Sequence, residues 1–292
     1  MYERYWLFKE RPFDGICDPR FHCRLPGQYA ITEKLRYALV DRSGCALLTG
    51  QPGVGKTALT RDFVRRHGGR FTHIAWLGQP YFGHQDLLRR LYLQLSADQA
   101  GSADALVLEH PGLLLEKIQH LFHAMASHVL LVLDNIQELS DPAAIGALKA
   151  MYEWGQLSLH PLNSVAGRAP QAGNEQGFRV SVLLVGQPVA SQNLRQFAGF
   201  FESLTLRLSL PCLSREELSD YLRQRLQAAG AQQECFTEEA KDQMHRLAGG
   251  VPRKINQLAD LSLLVGYVRK KSIVDADEIL QAARELMLLD VA

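Results

Sequence analysis

The chain has 292 residues, of which 47% are hydrophobic and 22% are charged, so it can bury the core of one large domain or two smaller ones. Its 32 basic and 31 acidic residues give a formal net charge of +1, which does not indicate a globally basic nucleic-acid binder. The five cysteines are scattered without a C-x-x-C pair, which disfavours a disulfide framework or a zinc site. The N-terminus is charged and aromatic, and no apolar run reaches the roughly eighteen residues of a membrane span, so we expect a cytoplasmic protein.

The first three-quarters of the chain alternate apolar runs with amphipathic segments. The apolar runs are short and nearly continuous, which is typical of buried strands in a parallel sheet covered by helices on both faces. We therefore predict an α/β fold with a five-stranded parallel sheet. The predicted strands cover residues 45–49, 71–77, 128–134, 180–185 and 204–210, and the predicted helices cover residues 31–41, 86–95, 113–125 and 142–154.

Beyond residue 211 the pattern changes to helices alone. Ser214 and Asp275 each open a capping box, Thr237 caps another helix, and Gly249 marks a helix end. We predict a small all-helical lid domain over residues 212–292. The remaining predicted divisions are an N-terminal aromatic segment and helix packed on the core (1–44), and an α/β domain (45–211) with a flexible insertion rich in Gly, Pro and Asn (160–177).

The segment from residue 50 to 57 matches the phosphate-loop pattern G-x-x-x-x-G-K-[ST] and stands between a predicted strand and a predicted helix. Its glycines allow a tight turn that directs backbone N–H groups at phosphate oxygens, helped by the following helix N-terminus. Lys56 supplies a charge for the β- and γ-phosphates, and Thr57 supplies a hydroxyl for Mg²⁺. The predicted nucleotide-binding residues are Gly50, Gln51, Pro52, Gly53, Val54, Gly55, Lys56, Thr57, Ala58 and Asp134.

Asp134 ends the third predicted strand, which is the Walker B arrangement, and we predict that it lies beside Thr57 and holds Mg²⁺ through its water shell. The next residue is Asn135, where hydrolysing members of this class usually have Glu. An amide can orient water but cannot accept its proton, and a general base is typically worth about 10²–10⁴-fold in rate. Glu138 is an alternative base from one helical turn further on. We therefore predict that the chain binds ATP or ADP, whereas the sequence leaves open whether it hydrolyses ATP.

Several motifs, in order over nearly the whole chain, resemble the AAA+ ATPases of the ExeA/GspA and MshM type, which are related to the transposition ATPases TnsC and TniB. That family serves type II secretion and MSHA-type pilus assembly. The motifs comprise residues 5–8, Pro12-Phe13, residues 18–21, the phosphate loop, and residues 184–188, 210–214 and 249–256.

The resemblance implies roles for two further residues and the loss of one. Gln187 would be the sensor-1 residue near the γ-phosphate, and Arg253 would be the sensor-2 arginine that couples the lid to nucleotide. Relatives carry an arginine finger ahead of the fifth strand, where this chain has Glu202 and Ser203. Such a finger is elsewhere worth about 10³–10⁵-fold in turnover. The candidate catalytic residues are Asn135, Glu138, Gln187 and Arg253.

Two functions remain open from the sequence. The first is an AAA+ nucleotide-binding protein that forms homo-oligomers through its nucleotide sites and acts as a switch or assembly factor for a pilus or type II secretion-like system, with slow or absent hydrolysis. The second is a TnsC-like, ATP-dependent regulator of transposition that binds duplex DNA. Its candidate DNA-binding residues are the basic clusters Arg61, Arg65, Arg66, His67 and Arg70, and Arg269, Lys270 and Lys271.

Overall fold

A computed structural model of the chain describes residues 1–14, 21, 23, 25–78, 83–96, 110–125, 128–158 and 177–286. The predicted insertion lies outside these residues except for Gly177, and so do residues 18–20 of the motifs. The described residues form two compact units. The sheet unit comprises residues 31–50 and 63–209, and the helical unit comprises residues 1–30, 51–62 and 210–292. The three-part division stays a prediction.

A five-stranded parallel sheet forms the centre of the sheet unit, with strand order β2-β3-β4-β1-β5, which confirms the predicted fold class. Residues of the inner strands β1, β3 and β4 are almost entirely buried, which explains their largely apolar sequence. The strands are β1 (Cys45–Thr49), β2 (His73–Leu77), β3 (His128–Leu133), β4 (Arg179–Gly186) and β5 (Leu206–Ser209).

Helices follow most of these strands, as the alternating pattern predicts. Leu87, Leu88 and Leu91 of α4 and Leu148 and Met151 of α6 lie in the same buried cluster as the sheet residues. The helices in or entering this unit are α2 (Pro26–Arg36), α3 (Lys56–His67), α4 (His84–Leu95), α5 (Pro111–Met125), α6 (Pro142–Ser158), α7 (Pro188–Arg195) and α8 (Ala198–Phe201).

Strand register places the chemically important residues at one edge of the sheet. Thr49 pairs with Gly186, Leu133 with Leu184, and Leu77 with Leu133. The carboxyl ends of parallel strands meet at a common edge, where ligands of open α/β sheets bind. Gly78, Asp134 and Gln187, which follow these strand ends, therefore share that edge within the sheet unit.

The helical unit has a core of its own. Helix α1 (Tyr2–Tyr5) packs on helix α11 (Pro252–Val268), where the Trp6 indole N–H donates to the Leu263 carbonyl at 3.0 Å. The capping boxes at Ser214 and Asp275 and the Thr237 cap are present, as predicted. The later helices are α9 (Arg215–Ala228), α10 (Glu238–Ala248), α11 (Pro252–Val268) and α12 (Ala276–Glu285).

None of the helices in the described ranges combines the length and the apolar character that a membrane crossing needs. The four cysteines Cys23, Cys45, Cys212 and Cys235, which belong to the described part of the chain, are unpaired thiols. Burial raises the pKa of Cys235 to about 12, so this thiol stays protonated and unreactive at neutral pH.

Candidate functional site

The phosphate loop follows β1 directly and runs into α3, which begins at Lys56. Gly53 and Gly55 have φ angles of +82° and +103°, which side-chain-bearing residues rarely adopt. Val54 between them is 1% exposed and anchors the loop in the interior. The Lys56 ammonium donates to the Gln51 carbonyl at 3.0 Å. The loop thus has the backbone that the sequence pattern predicts.

Space beside the loop differs sharply between its two left-handed glycines. A Cβ on Gly55 would meet no atom within 4 Å, so that side of the loop is open. A Cβ on Gly53 would lie 2.8 Å from the Arg253 Cβ, and the Arg253 backbone N–H donates to the Gly53 carbonyl at 3.2 Å. Within the helical unit, the structure therefore brings the phosphate loop into contact with the first turn of α11.

Residues 212 and 213 contact both the phosphate loop and the segment before α11. Leu213 N–H donates to the Gly250 carbonyl at 2.8 Å, and the Cys212 thiol lies 3.7 Å from Gln51 Oε1. Gly250 has a φ of +70°, and a Cβ on it would clash with the Leu213 carbonyl oxygen. Pro252 begins α11 and Arg253 is exposed in its first turn. The phosphate loop, residues 210–214 and the start of α11 are thus joined by direct contacts.

Replacing Gly53 by Ala tests this contact, with Gly55→Ala as the matched control. Both substitutions force a side chain into a left-handed backbone, which costs about 1–2 kcal/mol. Gly53→Ala also overpacks the loop against Arg253, which typically costs a further ~1–3 kcal/mol. Urea unfolding should therefore show a larger loss for Gly53→Ala. Equal losses for the two variants would contradict the tight loop–α11 packing.

In the sheet unit, Asp134 follows β3 and is 4% exposed, and its Oδ1 accepts the Asn135 backbone N–H at 2.9 Å. Asn135 adopts a left-handed conformation with φ 58° and ψ 40°, which Asn tolerates better than most residues. Its side-chain amide donates to the Gly78 carbonyl at 2.9 Å. The amide of Asn135 is therefore engaged in joining the ends of β2 and β3.

Glu138 ends a short 3₁₀ helix, Ile136–Glu138, and is exposed. Its Oε1 lies 3.5 Å from Gln137 Nε2. Gln187 occupies the N-cap position of α7, and its backbone N–H donates to Gln137 Oε1 at 3.0 Å. The structure thus brings Asn135, Glu138 and Gln187 around Gln137, a residue that sequence reasoning missed because no local pattern marks a bond spanning fifty positions.

A metal site built from protein ligands alone is not indicated. In the ranges that the structure covers, no group of three or more His, Cys, Asp and Glu side chains could hold a metal ion. Thr57, in the helical unit, and Asp134, in the sheet unit, stay predicted Mg²⁺ ligands.

Comparison with known proteins agrees with this architecture. Residues 40–194, more than half of the chain, match the AAA domain family AAA_22. The General secretion pathway protein A of Aeromonas hydrophila is 30% identical over 98% of this chain. The chain spans about half of that relative, 48% of its length.

Two solved structures share the fold at low sequence identity. The Aeropyrum pernix ORC2 protein, solved with ADPNP and ADP, has a TM-score of 0.68 at 16% identity, covering 95% of this chain and 72% of that one. The Aeropyrum pernix ORC1 protein, solved with DNA, has a TM-score of 0.67 at 18% identity, covering 96% and 70%. The family match therefore shows that the chain belongs to the AAA domain family, and the chain is similar to the ExeA/GspA-type AAA+ protein of Aeromonas hydrophila.

Proposed function

We propose that the chain binds Mg·ATP and ADP, oligomerises through its nucleotide sites, and acts as a switch or assembly factor for a secretion or pilus system, with slow or absent hydrolysis. The observation that carries the proposal is the phosphate loop, whose left-handed Gly53 and Gly55 lead into a helix that starts at Lys56. The secretion role rests on the similarity to General secretion pathway protein A.

The residues present fit a nucleotide phosphate. The space beside Gly55 is open. The N-terminus of α3 offers backbone N–H groups, and Lys56 offers a cation. Thr57 would hold Mg²⁺ through its hydroxyl, and Asp134 would hold the hydration shell of the metal. Bound Mg²⁺ would neutralise charge on the phosphate oxygens. Arg253, fixed by its backbone bond to Gly53, would sense the nucleotide from α11.

Slow hydrolysis is supported by the state of Asn135. A general base must accept a proton, and an amide cannot. The Asn135 amide is in addition bonded to the Gly78 carbonyl. Glu138 is exposed at the far end of the 3₁₀ helix and lies against Gln137. Neither side chain is arranged as a free base.

The missing arginine finger supports the same conclusion. Ser203 directs its hydroxyl to the Phe200 carbonyl at 2.7 Å, closing α8. Arg207 lies 4.0 Å from the Phe201 ring centre and donates to the Phe201 carbonyl at 3.1 Å. Arg195 lies 5.8 Å from the same ring. The cations nearest the expected position are thus gathered around Phe201 of their own chain.

Replacing Asn135 by Glu should raise ATP turnover, with Asn135→Gln as a control of equal length that cannot accept a proton. The gain should fall below the about 10²–10⁴-fold of a full general base, because the arginine finger is still missing. Glu in the left-handed region should also cost about 1–2 kcal/mol of stability. Phosphate release and urea unfolding measure the two effects. Brisk turnover in the unaltered chain would contradict slow hydrolysis.

The DNA-binding alternative is favoured by the fold similarity to the DNA-bound ORC1 protein and disfavoured by one basic cluster. Arg269 pairs with the buried Glu278 at 2.9 Å, and Lys271 pairs with Asp275 at 3.1 Å. These cations are partly neutralised within the helical unit. Binding of duplex DNA that falls steeply with added salt would favour the alternative, and no retention at low salt would exclude it.

A further inference from the structure

Gln137 makes several polar contacts at the carboxyl edge of the sheet. Its Oε1 accepts the Gln187 N–H at 3.0 Å, and its Nε2 lies 3.5 Å from both Asn135 Oδ1 and Glu138 Oε1. Its backbone carbonyl accepts from Asn193 Nδ2 at 3.4 Å. The residue therefore connects the turn after β3 with the start of α7.

Close backbone approach makes the connection specific. Gly186 ends β4 next to Gln187, and a Cβ on Gly186 would lie 2.7 Å from Ile136 Cγ2 and 3.0 Å from Gln137 Oε1. A side chain there would separate the two segments. The absence of one at Gly186 lets Gln137 reach the first backbone N–H of the segment that leads into α7. The bond therefore holds the backbone of Gln187.

We propose that Gln137 is a positioning residue, which fixes Gln187 relative to the turn containing Asp134 and Asn135 and thereby lets the site distinguish ATP from ADP. The inference rests on the proposed function and on the sensor-1 role that the resemblance implies for Gln187. Hydrogen bonds from supporting residues, together with packing, hold the residues of a site near their productive geometry. Gln137 acts through Gln187, so it affects the response to the γ-phosphate rather than the grip on the other phosphates.

The acceptor and donor halves of the Gln137 amide can be separated by substitution. Gln137→Leu removes both while keeping similar bulk. Gln137→Glu keeps an oxygen acceptor for the Gln187 N–H but loses the donor that faces Asn135. Gln192→Leu is the matched control, because Gln192 is an exposed glutamine on α7, the helix that Gln187 caps. Gln137→Met serves as a second apolar variant should Gln137→Leu not fold.

The test measures the Kd of each variant for Mg·ADP and for Mg·ATP by calorimetry, with thermal unfolding as a check on folding. Gln137→Leu should weaken Mg·ATP about tenfold relative to Mg·ADP, the effect of losing roughly one hydrogen bond. Gln137→Glu and Gln192→Leu should keep the ratio of the unaltered chain. Equal weakening of both nucleotides in Gln137→Leu, or loss of the ratio in Gln137→Glu, would overturn the inference.

Two further outcomes separate this inference from the function on which it rests. An unaltered chain that binds neither nucleotide would overturn both. An unaltered chain that binds both nucleotides, with a Gln137→Leu ratio that does not change, would leave the proposed function standing and overturn the positioning role. A ratio near one in the unaltered chain would also contradict the inference, because there would be no discrimination for Gln137 to support.

Discussion

Lys56→Ala is expected to weaken Mg·ATP binding by about 10²–10³-fold, because truncating one partner of a charged, hydrogen-bonded contact typically costs ~2–5 kcal/mol. Lys56 begins α3, directly after the left-handed Gly55. Its ammonium lies 3.0 Å from the Gln51 carbonyl, so the side chain folds back over the loop that it serves. No other residue of the loop carries a positive charge.

The stability of Lys56→Ala should change by only about 1 kcal/mol, the usual net value of one hydrogen bond such as that to Gln51. Arg61→Ala is the matched control, since Arg61 is an exposed cation on the same helix. It should leave Mg·ATP affinity within about twofold, as expected for an exposed charge beyond direct contact. Titration calorimetry compares the variants. Unchanged affinity in Lys56→Ala would remove the basis for a phosphate-binding loop.

Arg225→Met should lower the free energy of unfolding by about 3–5 kcal/mol, because each carbonyl left without its donor costs about 1–3 kcal/mol. Arg225 lies on α9 and is 7% exposed. Its guanidinium donates to the carbonyls of Pro12 at 2.7 Å and Asp14 at 3.1 Å. It also faces the rings of Phe13, Phe21 and Tyr221 at 5.1–5.9 Å.

Met retains most of the volume of Arg225, so the measured loss would report the polar and ring contacts rather than a cavity. Arg223→Met is the control, since Arg223 lies on the same helix with a side chain that is 60% exposed and an ion pair to Asp220. An exposed pair is worth about 0–1 kcal/mol. Similar urea midpoints for the two variants would show that Arg225 does not hold residues 12–14.

Local chemistry explains how much of the fold could be predicted. The apolar run 45–49 coincides with β1, and the capping residues Ser214, Thr237 and Asp275 begin their helices as expected, because these signals lie within a few residues of the structure they specify. The predicted strand 71–77 is shorter in the structure, His73–Leu77. Strand ends depend on neighbouring strands, which a single segment does not reveal.

The predicted helix 31–41 differs in form from the observed one. The structure has α2, Pro26–Arg36, followed by a π-helical turn, Tyr37–Asp41. In this π-helical turn the Arg42 N–H donates to the Tyr37 carbonyl at 3.1 Å, and the Gly44 N–H donates to the Ala38 carbonyl at 2.8 Å. Hydrophobic spacing is nearly the same for α and π turns over five residues, so the sequence pattern does not separate them.

The candidate site divides in the same way between local and distant determinants. The phosphate loop and the acid after β3 follow from short motifs. The left-handed Asn135, its bond to Gly78 and the Gln137–Gln187 contact join segments about fifty residues apart, and only the sheet register brings them together. Arg207 and Arg195 both lie at the ring of Phe201, the last residue of α8, and no sequence motif marks this arrangement.

The most direct test of a nucleotide-holding protein with slow hydrolysis is to follow the nucleotide on the chain itself. The full chain is mixed with a stoichiometric amount of Mg·ATP, separated from free nucleotide at intervals, and the bound nucleotide is identified by chromatography. We predict that ATP is retained and recovered largely intact after many minutes, and that Lys56→Ala retains none. Conversion of the bound ATP to ADP within seconds, or no retained nucleotide at all, would contradict the account.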